Sequence, residues 1–179
     1  MDIRWHGRGG QGVVTAATLL GGAAVREGKY AHSFPAFGAE RRGAPVMAFT
    51  KIREVPLRDR SQIYAPDYVA VMDETLLDVV PLLDGLKPGG QVIINTRRSS
   101  GDLGLAGDFH VSTVDATSIA LDKLGVAIVN TTLLGAVSAA TGMVSLESLE
   151  SVIRESFRGS LAEKNIDAVR TAFRAVKEA

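Results

Sequence analysis

The chain has 179 residues, of which 46% are hydrophobic, and its 20 basic and 20 acidic residues give a formal net charge of zero. A neutral chain has no general electrostatic attraction to nucleic acid or to anionic lipid, so we expect neither as a partner. The sequence contains no cysteine, which excludes disulfides, thiolate zinc sites and cysteine-ligated iron–sulfur clusters held by this chain alone.

The predicted elements begin with a short strand over residues 2–6, a glycine-rich turn, and a helix over residues 11–27. This helix is apolar on nearly every face, which predicts that it is buried, and Gly28 suits its C-terminal cap. Asp2, Arg4 and Arg8 interrupt any apolar stretch at the N-terminus. We therefore expect no signal peptide and a cytoplasmic location.

Apolar strands and polar turns alternate along the middle of the chain. Strands are predicted over residues 30–34, 46–52, 68–73, 91–95 and 109–114, and a helix over residues 74–86 that Pro81 interrupts. Asp115 or Thr117 is expected to cap the helix that follows the last of these strands.

The segment from Leu124 to Leu146 carries no charge and is long enough to span a bilayer. It contains three glycines and several serine and threonine residues, which weaken it as a membrane helix. We therefore predict a strand followed by a tightly packed helix, and no membrane span.

Two amphipathic helices complete the chain, one beginning at Ser145 and the other carrying Ile166, Val169, Phe173 and Val176 on one face. Short strands that alternate with helices predict an α/β sandwich with a mostly parallel sheet and a glycine-rich first strand–helix turn. At this length we expect a single domain over residues 1–179.

The turn between the first strand and the first helix reads GRGGQG and matches G-x-G-x-x-G at Gly7, Gly9 and Gly12. A helix N-terminus offers free amides and a partial positive charge, and glycines let a phosphate approach the backbone. This turn predicts a phosphate or dinucleotide site. The alternative is a tight strand–helix turn that only allows close packing.

A nicotinamide site would also need an acidic residue at the tip of the second strand, which ends here in SFPAFG without one. The first acidic residue beyond it, Glu40, is followed by Arg41 and Arg42. Two guanidinium groups suit a phosphorylated ribose, as in NADP or coenzyme A. Salt bridges or a contact with a partner chain would explain these arginines equally well.

Residues that could carry catalysis are few. His6, His32 and His110 are scattered over predicted strands without metal-ligand spacing, so we predict no metal site. Asp73 and Glu74 follow a strand end, where capping is the expected role. We predict no catalytic residue, and the chain does not have the features of a complete enzyme.

Two long stretches, IRWHGRGGQGVVTAATLL (3–20) and FPAFGAERRGAPVMAFTKI (34–52), resemble the gamma subunit of the 2-oxoacid:ferredoxin oxidoreductases, the family of pyruvate synthase. APDYVAVMDETLLD (65–78) and VNTTLLGA (129–136) are similar to later parts of that family. The resemblance implies a multisubunit enzyme that oxidatively decarboxylates a 2-oxoacid such as pyruvate to acyl-CoA and CO2.

The family also implies a division of cofactors and partners. Thiamine diphosphate belongs to the alpha and beta chains and the iron–sulfur clusters to beta and delta chains, which pass electrons to ferredoxin. The gamma chain is then a non-redox subunit, inactive alone, that contributes to coenzyme A binding and assembly. The 2-oxoacid, the electron acceptor and the subunit stoichiometry are set by the other chains.

Carried over by position, the resemblance places the coenzyme A phosphates beside one set of residues: Gly7, Arg8, Gly9, Gly10, Gln11, Gly12 and Thr15, with Arg41 and Arg42 holding either coenzyme A or a partner chain. Two alternatives remain. The chain is a purely structural subunit of the same complex, or it is an independent NADP-binding reductase.

Overall fold

A computed structural model of the chain describes residues 1–36 and 42–178. Seven strands form one sheet: β1 (Asp2–Arg8), β2 (Tyr30–Pro35), β3 (Pro45–Arg53), β4 (Tyr68–Val71), β5 (Gly90–Asn95), β6 (Phe109–Val114) and β7 (Lys177–Glu178). The α-helices of the described residues are α1 (Val13–Arg26), α2 (Ala116–Leu124), α3 (Asn130–Thr141), α4 (Leu146–Ser156) and α5 (Ser160–Ala175).

The sheet has the order β2–β3–β1–β4–β5–β6–β7. The four strands β1, β4, β5 and β6 run parallel to one another, with Trp5 opposite Ala70 between β1 and β4. β3 lies antiparallel between β1 and β2, and the two-residue β7 pairs antiparallel with β6. The predicted α/β fold, with a mostly parallel sheet and a glycine-rich first strand–helix turn, is confirmed.

One hydrophobic core lies between the sheet and the helices, and all five helices contribute to it. Trp5 is completely buried there, and its indole N–H donates to the hydroxyl of Thr50 at 3.1 Å. That hydroxyl donates in turn to the carbonyl of Ala17 at 3.0 Å. The largest side chain of this core therefore buries no unsatisfied donor, and it joins β1, β3 and α1.

The opposite face of the sheet carries a second core to which no residue of α1–α5 contributes. The helix predicted over residues 74–86 is wrong: only Glu74–Asp78 form a 3-10 helix, and turns follow. Pro81 has no N–H to continue a helix. The carbonyls of Leu82 and Asp84 instead accept from the buried guanidinium of Arg4, each at 2.7 Å.

The strand predicted before α3 is also wrong. Gly125 ends α2 in the left-handed region at φ 76°, and residues 126–129 form no strand because they have no sheet neighbour. The tightly packed helix is confirmed as α3, in which residues 131–138 are buried. Among residues 1–36 and 42–178, no helix is both long and apolar enough to cross a membrane.

The helix starts follow the sequence signals. Asp115 caps α2 by accepting from the Ser118 N–H at 2.9 Å, so the aspartate rather than Thr117 is the cap. Ser145 caps α4 by accepting from the Ser148 N–H at 3.1 Å. Gly28 lies in the left-handed region after α1, at φ 79°, as the C-terminal cap requires.

Candidate functional site

The glycine-rich turn lies at the carboxyl end of β1, between the start of β3 and the start of α1. The Gly9 N–H donates to the carbonyl of Ala44 at 2.9 Å, and the Gly9 carbonyl accepts from the Gly43 N–H at 3.0 Å. Gly10 and Gly12 have φ values of 96° and 77°. These left-handed conformations explain two of the glycines in this turn.

Packing explains a further part of the motif. A Cβ on Gly7 would lie 2.5 Å from Cγ2 of Val13, and a Cβ on Gly12 would overlap the side-chain amide of Asn130. The turn therefore brings α1 against β1 and against the start of α3. Within the described part of the chain, no atom lies within 4 Å of a Cβ built on Gly10. Gly10 is therefore a position of the turn that faces open space.

The first turn of α1 has the character of an anion site. Gly12 is its N-cap, no side chain in the described part of the chain caps it, and its first turn holds no acidic residue. The N–H groups at the start of a helix have no carbonyl partner within it, and they lie at the positive end of the helix dipole. Thr15 is exposed on this first turn.

Arg8 and Gln11 are held by a carboxylate at the end of the neighbouring strand. The Arg8 Nε donates to Oδ2 of Asp73 at 3.1 Å, and the Gln11 side-chain amide donates to the same oxygen at 3.1 Å. The Gln11 carbonyl oxygen accepts from the Arg8 N–H at 2.7 Å. The Arg8 guanidinium also donates to the Gly43 carbonyl at 3.1 Å and to the Thr75 hydroxyl at 2.7 Å.

Asp73 is the centre of this network. Its Oδ1 accepts from the Thr75 N–H at 3.1 Å and from the Thr75 hydroxyl at 2.6 Å. Burial raises the pKa of Asp73, but the hydrogen bonds from Thr75 and Gln11 and the charge of Arg8 lower it by more, so the pKa lies below its usual value. Asp73 is therefore ionised at neutral pH. Its predicted capping role is present in the bond to the Thr75 N–H.

A polar cleft of about 380 Å³ opens beside this network, at the carboxyl ends of the parallel strands. It is lined by Gln11, Met72, Asp73, Glu74, Thr75, Asn95, Thr96, Arg97, Asp115 and Thr117. The Asn95 side-chain amide donates to the carbonyl of Met72 and to the hydroxyl of Thr117, both at 2.9 Å. This edge is where ligand sites of parallel sheets lie.

Several of these lining residues were not found from the sequence. Four of them lie at or just after the carboxyl end of a parallel strand: Thr75, Asn95, Thr96 and Thr117. That shared position is the sequence signal that could have indicated a site. They could not be assembled into one cleft before the strand order was known.

The two predicted arginines have different outcomes. Arg41 lies outside the described residues. The backbone of Arg42 forms an isolated parallel bridge with Gly9, and its side chain is exposed. The side chain of Arg42 is therefore attached to backbone that borders the glycine turn.

The three histidines do not come together. His6 is 4% exposed, and its Nε2 accepts from the Arg4 Nε at 3.0 Å. His32 stacks on Phe34 with ring centroids 4.8 Å apart, and His110 is exposed. Within residues 1–36 and 42–178, no three His, Asp or Glu side chains form a group that could hold a metal ion.

The strand order also differs from a dinucleotide-binding unit. In that unit the second strand lies directly beside the first, and its tip faces the ribose. Here β3 lies between β1 and β2, which moves the tip of β2 away by about one extra strand spacing, roughly 5 Å. This arrangement disfavours a nicotinamide cofactor bound in the usual way.

Nearly the whole chain matches one protein family: the model of pyruvate ferredoxin/flavodoxin oxidoreductase matches residues 2–175. The pyruvate synthase subunit PorC of Methanothermobacter thermautotrophicus is 53% identical over 178 residues, covering 99% of this chain and 97% of that protein. The pyruvate/ketoisovalerate oxidoreductases common subunit gamma of Thermococcus kodakarensis is 53% identical over 176 residues, covering 97% of this chain and 95% of that protein.

A solved structure agrees with these relatives. The crystal structure of the pyruvate oxidoreductase subunit PORC from Thermotoga maritima is similar to this chain with a TM-score of 0.90 and 37% sequence identity, covering 100% of this chain and 98% of the other. The same overall fold thus accompanies the sequence match. The chain therefore belongs to the pyruvate ferredoxin/flavodoxin oxidoreductase family, as a gamma-type subunit.

Proposed function

We propose that this chain contributes coenzyme A binding and assembly to a complex that oxidatively decarboxylates a 2-oxoacid to acyl-CoA and CO2. The observation that carries the proposal is the uncapped first turn of α1 beside the open position of the glycine turn. Free amides at a helix N-terminus and a backbone without side chains are suited to a pyrophosphate. The family resemblance supplies the identity of the ligand.

The residues of the proposed site have distinct roles. Gly9, Gly10 and Gly12 let the pyrophosphate approach the backbone, and Thr15 adds a hydroxyl on the exposed side of α1. The backbone of Arg42 lies beside Gly9, and its exposed guanidinium suits the 3′-phosphate of coenzyme A. The roles of the other predicted residues differ: Gly7 serves packing, Arg8 and Gln11 are engaged with Asp73, and Arg41 stays a prediction.

The partners and the remaining cofactors are also part of the proposal. Thiamine diphosphate and the iron–sulfur clusters lie on alpha, beta and delta chains, which pass electrons to ferredoxin or a comparable acceptor, so this chain is non-redox and inactive alone. Relatives are named for pyruvate and for pyruvate with ketoisovalerate, in keeping with a substrate set elsewhere. The single domain over residues 1–179 and the cytoplasmic location stay predictions.

A purely structural role is the second candidate function. The close contacts at Gly7 and Gly12 favour it, because packing alone requires glycine at both positions. Gly10 separates the two candidates. Its left-handed backbone accounts for the glycine and its Cβ position faces open space, so a side chain that keeps this backbone conformation tests for a ligand without disturbing packing.

The first test is a matched pair of substitutions at Gly10, made in the whole complex. Asp and Asn both tolerate a left-handed backbone better than other residues do, and they differ here in charge. We expect Gly10→Asp to raise the KM for coenzyme A about tenfold or more, because a carboxylate would face the pyrophosphate, and Gly10→Asn to raise it much less. The KM for the 2-oxoacid should not change.

Equal effects of the two substitutions would show that charge at this position is irrelevant, which would contradict phosphate binding. Loss of assembly in both variants would favour the purely structural role.

A second test concerns the partners. We expect the chain, tagged and purified anaerobically from its native cell, to be recovered with larger chains that contain thiamine diphosphate and iron–sulfur clusters. Mass measurement and cofactor analysis would record this. A lone chain or small homo-oligomer without those cofactors would contradict the assembly, and NADP binding would then be measured on it.

A further inference from the structure

We infer that Asp73 is a positioning residue for the coenzyme A site: it fixes the conformation of the glycine turn through Arg8 and Gln11. This inference rests on the proposed function, since it assigns how that site is held in shape. Asp73 lies just after β4, on the strand next to the one that carries the turn.

The contacts form a closed circuit across the two strand ends. One carboxylate oxygen accepts from both Arg8 and Gln11, at 3.1 Å each, while Gln11 accepts from the Arg8 N–H at 2.7 Å. Arg8 continues the circuit to the carbonyl of Gly43 at 3.1 Å, and the Gly43 N–H donates to Gly9 at 3.0 Å. A change at Asp73 therefore affects Arg8 and Gln11 within the turn and, through Arg8, Gly43 beside it.

A carboxylate is the side chain this position requires. Its two oxygens accept four hydrogen bonds, two on each, from Arg8, Gln11 and the Thr75 N–H and hydroxyl. An asparagine has one acceptor oxygen and one N–H2 group. Turned towards Arg8 and Gln11, its N–H2 group would face two donors, and both of those bonds would be lost. Turned towards Thr75, it would face the Thr75 N–H, and that bond would be lost, while the hydroxyl could reverse and accept.

The charge of Asp73 should not work against the ligand. Arg8 neutralises it at 3.1 Å, so the pair presents no net charge to a phosphate. Without Asp73, Arg8 and Gln11 lose their shared acceptor, and the turn samples conformations that bind less well. The apparent affinity for a ligand is proportional to the fraction of molecules in the binding-competent conformation, so it falls as that fraction falls.

The experiment compares Asp73→Asn with Asp67→Asn in the assembled complex. Asp67 lies just before the same strand, at the opposite edge of the sheet, and is paired with Lys87 at 2.6 Å. We expect Asp73→Asn to raise the KM for coenzyme A about tenfold, with the KM for the 2-oxoacid and the kcat at saturating coenzyme A nearly unchanged. Asp67→Asn should leave all three constants unchanged.

A double substitution tests whether Asp73 acts through Arg8. In the Arg8→Gln background, Asp73→Asn should raise the KM for coenzyme A by less than about threefold, because part of the circuit is already open. If Asp73→Asn does not assemble, Thr75→Val is used instead. It removes the hydroxyl that joins Arg8 to Asp73, and it should raise the KM for coenzyme A about threefold.

The outcomes separate this inference from the proposed function. An unchanged or lowered KM for coenzyme A in Asp73→Asn overturns the positioning role. If Asp73→Asn does not assemble, the same result in Thr75→Val overturns it. Gly10→Asp still reports on the site itself. Full additivity of Asp73→Asn and Arg8→Gln also overturns the role. If Gly10→Asp has no effect either, the proposed function fails with it.

Discussion

Replacing Gly135 by alanine should lower the free energy of unfolding by about 3 kcal/mol, as expected for an overpacked core. Gly135 lies in α3 where this helix meets α5. A Cβ there would overlap the carbonyl oxygen of Val169 and lie 3.0 Å from the Phe173 nitrogen. These are backbone atoms of a helix, so they cannot move aside as a flexible side chain would. The helices would have to separate.

Gly22→Ala is the matched control, because Gly22 is also helical and in contact with another helix. Its Cβ would meet the side chain of Val152 at 3.3 Å, and alanine gains about 1 kcal/mol over glycine in a helix. Stability should therefore change by less than about 1 kcal/mol in that variant. Urea unfolding of the purified chain would measure both. Equal midpoints would contradict the tight α3–α5 contact.

His6 should make the folded chain sensitive to acid well above the range where carboxylates titrate. Burial, and then the charge of Arg4, lower the pKa of His6 from 6.5 to about 3. Between these pH values the unfolded chain binds a proton at His6 that the folded chain does not. The contribution of neutral His6 to the free energy of unfolding is therefore fully present above about pH 6.5 and is lost as the pH falls. The loss by pH 3 should be roughly 4 kcal/mol.

The measurement is the free energy of unfolding between pH 6.5 and pH 4.5 for the natural chain and for His6→Gln. Glutamine can accept from Arg4 but does not titrate, so the pH slope should be much smaller in this variant. His110→Gln, on an exposed histidine of β6, should keep the full slope. Identical slopes in the natural chain and His6→Gln would contradict a neutral buried histidine.

The fold could be predicted where local signals agreed. The apolar runs marked six of the strands, and Asp115 and Ser145 marked the helix starts they cap. The errors, a helix over residues 74–86 and a strand before α3, fall on apolar segments without a decisive period. In the first of them the carbonyls are satisfied by Arg4, which lies about 80 positions away in sequence. No local pattern contains that information.

The candidate site divides in the same way. The glycine turn was predictable because a strand, six residues and a helix are contiguous in sequence. The partnership of Arg8 with Asp73 was not, because the two residues are 65 positions apart and meet only because β1 and β4 are neighbours. Sequence position suggested capping for Asp73, and that role accounts for only one of its four accepted hydrogen bonds.

The antiparallel strand β3 has a consequence for assembly. The segment just before it, residues 42–44, is bound to Gly9 through hydrogen bonds with Gly43 and Ala44 and a bridge with Arg42, so the glycine turn and this segment form one rigid piece of backbone. A partner chain that immobilised this exposed segment would lower the entropy lost when a ligand orders the turn. Because such coupling is reciprocal, the ligand would strengthen the subunit contact by the same factor. Subunit affinity measured with and without coenzyme A would then report on the occupancy of the turn.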